Sequence, residues 1–204
     1  MSIHFTFFFL ACLCVCSASA RSTHARRTSV HDRLQRAFTK ERIVPDVLSY
    51  AVCIPSQQLH VSYGKKAVRL GTKLTLAEVK GEPTVTWKAE KNALYTLIKV
   101  DPDAPSPANP TAGQLRHWAV VNIPGNDLKR GQTVTSYWGA GAPPKTGFHR
   151  YVFLLYRQPA RLHGVQLGSE HDDRVKCNVE QFAHEHNLGR AIAGNFYLAQ
   201  SHEQ

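Results

Sequence analysis

At 204 residues, 43% hydrophobic and 20% charged, the chain is the size of one domain and has ample apolar content for a core. Its 25 Lys and Arg against 15 Asp and Glu leave a formal charge of +10, which draws it to acidic partners such as anionic lipid, sulfated glycan or nucleic acid. No nucleic-acid recognition motif accompanies the charge, so nucleic acid is set aside, and no second long apolar run follows the N-terminus, so the mature chain is expected to be soluble.

Met1 to Ala20 reads MSIHFTFFFLACLCVCSASA. Its apolar stretch from Phe5 to Val15 is shorter than the roughly 20 residues a membrane span needs, and Ala18-Ser19-Ala20 is a small-x-small cleavage site. Residues 1–20 are therefore expected to be a secretory signal, and the mature protein to be extracellular. Cys12, Cys14 and Cys16 leave with it. The remaining pair, Cys53 and Cys177, is open to two readings: one internal disulfide, or two buried thiols packing as small hydrophobes. Asn109-Pro110-Thr111 is blocked as a glycosylation sequon by its proline.

Residues 21–42 form a basic arm, partly disordered or helical, with Val30, Leu34 and Phe38 at four-residue steps behind Ser29 as a cap. Such an arm suits an anionic membrane surface or a sulfated glycan. Short strands follow, separated by Gly and Pro: Leu59 to Tyr63, Lys73 to Leu76, Thr84 to Trp87, Leu94 to Val100, Arg116 to Ile123, Thr133 to Trp138 and Tyr151 to Arg157. Their spacing leaves no room for repeated crossover helices, which favours an all-β sandwich or barrel over a parallel α/β fold. Asn178 with Gln181 reads as a capping box, Val179, Phe182 and His186 share a helical face, and Gly189 closes it. Ala191 to Ala199 is the last strand. His184-Glu185-His186 is expected to be a solvated helix face.

Two stretches concentrate chemistry. Leu94 to Pro105 reads LYTLIKVDPDAP: a buried strand that stops at Asp101 and Asp103, whose carboxylates leave an extended chain on one side. Tyr137 to Gln158 reads YWGAGAPPKTGFHRYVFLLYRQ, where Gly139 and Gly141 free the backbone to approach a ligand and His149 and Tyr151 point the same way. Between them lies RHWAVVNIPG, from Arg116 to Gly125.

With DPDAPSP upstream and GAGAPPKTGFHRYVFLLY downstream, the chain from about Ile43 to Tyr197 resembles the phosphatidylethanolamine-binding protein family, also called the Raf kinase inhibitor protein family, in a secreted invertebrate form. The resemblance implies a mainly β fold: an antiparallel β-sandwich of a large central sheet and a smaller sheet, with short peripheral helices, forming one domain over 43–204. It implies a ligand pocket at Asp101, Asp103, Pro105, His117, Gly139, Gly141, Pro143, His149, Tyr151 and Tyr197, binding phosphatidylethanolamine or another phosphoryl head group without catalysis or cofactor. Three positions depart from the family pattern. A pocket tyrosine falls on Ala112, a rim glutamate on Gln114 and a later aromatic near Cys177, so a roomier, less negative pocket is expected.

The residue chemistry suits an anion. Imidazole N–H groups of His117 and His149 donate to phosphate oxygens, Asp101 orients one ring, and backbone N–H groups near Gly139 and Gly141 form a nest. Asp101, Asp103, His117 and His149 also offer a metal set, but no HExxH, CxxC or GxSxG pattern supports an enzyme. A protein-interaction role, as protease inhibitor or signalling modulator with the pocket secondary, is the alternative.

Overall fold

The structure, a computed structural model, describes residues 30–50 and 54–201. The expected signal, the first part of the arm and Cys53 lie outside them.

The chain enters as helix α1 (30–40), whose Leu34 and Phe38 are fully buried; Phe38 meets Phe196 edge-on at 5.8 Å. The second half of the basic arm is thus part of the core. A short turn, α2 (Ile43–Asp46), follows, and then ten strands: β1 (Gln57–Gln58), β2 (His60–Tyr63), β3 (Lys66–Ala67), β4 (Thr72–Lys73), β5 (Thr84–Thr86), β6 (Leu94–Asp101), β7 (Leu115–Pro124), β8 (Gln132–Thr135), β9 (His149–Gln158) and β10 (Ala193–Ala199). Helices α3 (His171–Arg174) and α4 (Val179–Glu185) lie between the last two strands.

The large sheet runs β1-β10-β9-β6-β7-β8, with β4 also on β10; the small sheet runs β3-β2-β5. The sheets are antiparallel except where β1 and β4 join β10, so the large sheet is mixed at that edge. Strand β9 shows why its sequence is a continuous apolar run. Val152, Leu154 and Tyr156 face the helices, while Tyr151, Phe153 and Leu155 face the small sheet, so both faces are covered.

Asn178 caps α4, accepting from the Glu180 and Gln181 amides, but Gln181 turns forward to Glu185 instead of closing a capping box. The helix ends one turn earlier than Gly189. Asn187 adopts φ 52°, its amide bonds His184 and the Leu188 amide bonds Ala183, a Schellman closure that carries Leu188 into the core. His184 and Glu185 are exposed as expected, whereas the His186 ring rests on Phe182 at 4.5 Å.

Candidate functional site

β6 ends, and β7 and β9 begin, at one end of the large sheet, where Asp101 pairs with Leu115 and Val100 with Val152. A cavity of about 660 Å³ opens there. Asp101, Pro105, His117, Gly139, Gly141, Pro143 and His149 line it, as does Ala112. Gly139 is a packing requirement: a Cβ there would stand 2.9 Å from the Val79 carbonyl oxygen, so the loop before β5 closes against it.

Asp101 is 2% exposed and His149 1%. The Asp101 carboxylate accepts the Asp103 amide at 2.7 Å on one oxygen and meets His149 Nδ1 at 2.9 Å on the other. Burial raises the Asp101 carboxyl above its ordinary range, and the His149 hydrogen bond opposes that rise. His149 Nε2 is also occupied. It lies 3.0 Å from Thr146 Oγ1, which has the Pro143 carbonyl within 2.8 Å. Thr146, which the sequence reading passed over, therefore stands on the outer ring nitrogen.

His117 arrives by a register shift. Lys99 pairs with Trp118 and Val100 with Arg116, so His117 is the extra residue of a β-bulge. The bulge lets neighbours 117 and 118 face the same side, with the His117 ring edge-on to Tyr151 at 5.2 Å and Trp118 in the core between the sheets. The expectation that this imidazole donates to phosphate is corrected here. Its Nδ1 lies 2.9 Å from the Gly139 carbonyl oxygen, which only accepts, so Nδ1 carries the proton and Nε2 presents a lone pair. Nε2 is buried without a hydrogen-bond partner among the described residues. Burial, with the Lys99 charge next in size, pushes the ring's pKa down to about 3, so it is a neutral acceptor at neutral pH.

Three expected residues lie outside the cavity lining. Tyr151 is fully buried and its hydroxyl accepts the Gly141 amide at 3.3 Å, which takes that amide out of the expected nest. Tyr197 stacks on Tyr151 at 4.9 Å, its hydroxyl buried on the Tyr63 side of the core. Asp103 is turned to Arg150, which donates from Nε at 2.9 Å, from Nη2 at 2.6 Å and from its backbone at 2.8 Å. Arg150 also reaches Asp46 and the Glu41 carbonyl, tying the loop after β6 to the end of α1. Asp103 thus shapes the site from behind.

Lys99 lies beneath the pocket, fully buried among Tyr137, Tyr151, Tyr197 and Phe153 with ring centroids 4.4 to 5.8 Å from Nζ. It donates to the Tyr137 hydroxyl and to the Trp138 carbonyl, the carbonyl that His117 Nδ1 also approaches at 3.3 Å. Burial holds the amine well below the ordinary lysine range. Its signal in the sequence is a lone charge inside LYTLIKV. Trp138, another lining residue not anticipated, has the buried Arg174 guanidinium 3.8 Å from its ring.

Among the departures from the family pattern, Ala112 does line the cavity, but Gln114 faces away: its amide donates to the Asp46 and Val47 carbonyls and accepts the Val179 amide. Cys177 is a half-buried free thiol away from the lining. Asp101, Asp103, His117 and His149 do not converge as a metal set, and no group of three metal-ligating side chains occurs among the described residues.

Comparison with known proteins agrees with this geometry. Residues 55–197 match the model of the phosphatidylethanolamine-binding protein family, and the chain belongs to that family. It is 43% identical over 168 residues to a 26 kDa secreted antigen of Toxocara canis, a match covering 80% of this chain and 63% of the antigen, so it spans less than two thirds of that relative's length. It is 29% identical over 177 residues to a putative odorant-binding protein A5 of Drosophila melanogaster, covering 85% of this chain and 83% of that one. The fold superposes on a carboxypeptidase Y inhibitor, solved with its cognate proteinase, at a TM-score of 0.72 and 24% identity over 85% of this chain and 96% of the inhibitor.

Proposed function

We propose that this chain is a secreted, non-catalytic binding protein for phosphorylated head groups, with the ligand seated in the pocket at the end of β6. The observation that carries the reading is the line Asp101, His149, Thr146, whose first two members line the pocket together with a neutral His117 whose Nε2 has no hydrogen-bond partner among the described residues. The line offers an imidazole nitrogen with a hydroxyl on it; His117 offers a lone pair. A phosphoryl group that keeps a P–OH, or a head group bearing an ammonium, satisfies both. The Thr146 hydroxyl, though next to the Asp101-oriented His149, donates to the Pro143 carbonyl and so is not activated by the imidazole as a nucleophile. Family membership supports the ligand class, and the N-terminal apolar stretch with a relative named as a secreted antigen supports secretion. The protein-interaction alternative has the shared inhibitor fold behind it and no residue of this chain.

Calorimetric titration of the mature chain with phosphoryl-ethanolamine tests the reading. His149→Ala should weaken binding about ten- to a hundredfold, the effect of losing one hydrogen bond to a charged group. His117 does not titrate between pH 6 and 8 and so adds no pH dependence of its own. The monoester should bind less well as pH rises past its second ionisation near ~6, while glycerophosphoethanolamine, a diester, should not change. Equal binding by wild type and His149→Ala would sink the assignment.

A further inference from the structure

On the far side of the small sheet is a second, larger concavity of about 1100 Å³ that shares no residue with the pocket. Its lining includes Arg33, His60, Arg69 and Lys88, and no Asp or Glu. These four come from α1, β2, the turn after β3 and the segment after β5, so the fold, not a charged run in the sequence, assembles them. All four are exposed, and none takes part in an ion pair among the described residues.

The rest of the lining is hydroxyl and amide, interspersed with the aliphatic Val30, Val61, Ala67, Val68 and Leu70. On β2, His60 and Ser62 alternate with buried Val61 and Tyr63; on β5, Thr84 and Thr86 flank buried Val85. The period-two alternation that buries the valines turns the hydroxyls outward. Ser56, Gln57 and Gln58 complete the edge.

We infer that this groove is a binding site for a linear sulfated polysaccharide, with Arg33, Arg69 and Lys88 meeting sulfates and the Ser, Thr and Gln side chains meeting sugar hydroxyls. Charge complementarity selects a polyanion, since cations without partners attract counter-ions and release them on binding. The lining selects among polyanions. No Phe, Tyr or Trp lines the groove, so it lacks the stacking platform that single-stranded nucleic acid uses. It is concave, so a planar bilayer surface meets only its rims and leaves the hydroxyl floor unused. The site goes beyond the head-group pocket and does not depend on it.

The test compares two double substitutions of equal charge in the full mature chain: Arg69→Ser with Lys88→Ser in the groove, and Lys129→Ser with Arg130→Ser on the exposed turn at 128–130. The probe is a heparin octasaccharide, titrated at several salt concentrations. The groove double should lose tenfold or more in affinity and shallow the salt slope by ~2, about one per cation removed, while the control double loses less than threefold. Both should melt with the wild type and bind phosphoryl-ethanolamine unchanged, which keeps this result separable from that of the pocket. Equal losses in the two doubles would mean diffuse charge and overturn the site. So would a groove-dependent affinity for anionic vesicles or oligothymidylate that matches or exceeds the affinity for heparin.

Discussion

In the pocket, Asp101, His117 and His149 are each at most 3% exposed, and each is fixed by a neighbour's hydrogen bond. In the groove, Arg33, Arg69 and Lys88 are exposed and make no ion pair among the described residues. The difference is one of medium. Buried groups feel a low dielectric, so their protonation states are set by the fold and a misplaced proton is costly. Exposed groups interact weakly one by one and act through their sum at long range. A small-ligand site and a polyanion site thus make opposite demands on the same chain.

Acid breaks the comparison most strongly. His117 has its pKa depressed to about 3, so between that value and its unfolded value of 6.5 the unfolded chain binds the extra proton. Stability from this group is complete above pH 6.5 and is lost as pH falls towards 3, at roughly 1.4 kcal/mol per pH unit and on the order of 5 kcal/mol over the window. Urea unfolding of wild type and His117→Gln from pH 7 to pH 4 should show a shallower pH slope in the variant. Parallel slopes would mean His117 is not the buried neutral group described here.

The next effect is at the strut behind the pocket. Arg150→Ala leaves Asp103 buried without its cation and frees the loop from Asp46. Breaking a largely buried pair costs about 3–5 kcal/mol, to be read from the denaturation midpoint. A loss below about 1 kcal/mol would show that the Asp103 loop holds itself.

Lys99 sharpens the contrast, because it is a cation placed where charge is expensive. Lys99→Met removes the amine at similar volume, and the stability change should stay within about 1.5 kcal/mol of wild type. Because the Lys99 charge helps depress His117, the acid slope of that variant should end at higher pH than in wild type. In the folded protein a less depressed His117 keeps its proton further up the scale, so the window in which the unfolded chain alone gains a proton narrows from its acid end. An unchanged acid limb in Lys99→Met would remove Lys99 from the pocket's electrostatics.

The smallest effect belongs to the groove. Arg69→Ser with Lys88→Ser changes two exposed side chains without ion-pair partners, so folding stability should move by no more than about 0.5 kcal/mol. A larger loss in thermal or chemical unfolding would mean these residues hold the small sheet together instead of serving a ligand.

The long strands were legible in the amino-acid sequence because they depend on near neighbours, whereas the two-residue β1 and β3 carried no signal and the strand expected over Lys73 to Leu76 is only Thr72–Lys73. Leu94 to Val100 and Tyr151 to Arg157 were recognisable by composition and punctuation, and the structure extends them only to Asp101 and to His149–Gln158. Asn178 announced its helix for the same reason, since a cap acts over two or three residues. The family motifs likewise pointed to the end of the sheet where the cavity lies. What the sequence left open was every choice made at long range. Alternation along β7 puts His117 and Trp118 on opposite faces, and only the register against β6 inserts the bulge that turns both to one side. Asp101 and Asp103 look equivalent in DPDAP, yet partners 48 and 47 residues away give one to a histidine and the other to an arginine. Lys99 reads as an ordinary strand residue until four aromatic rings from three other segments enclose it. Local pattern decides which face a side chain takes; which group waits there, and hence whether it ionises, accepts or binds, is decided when distant strands close on one another and exclude water.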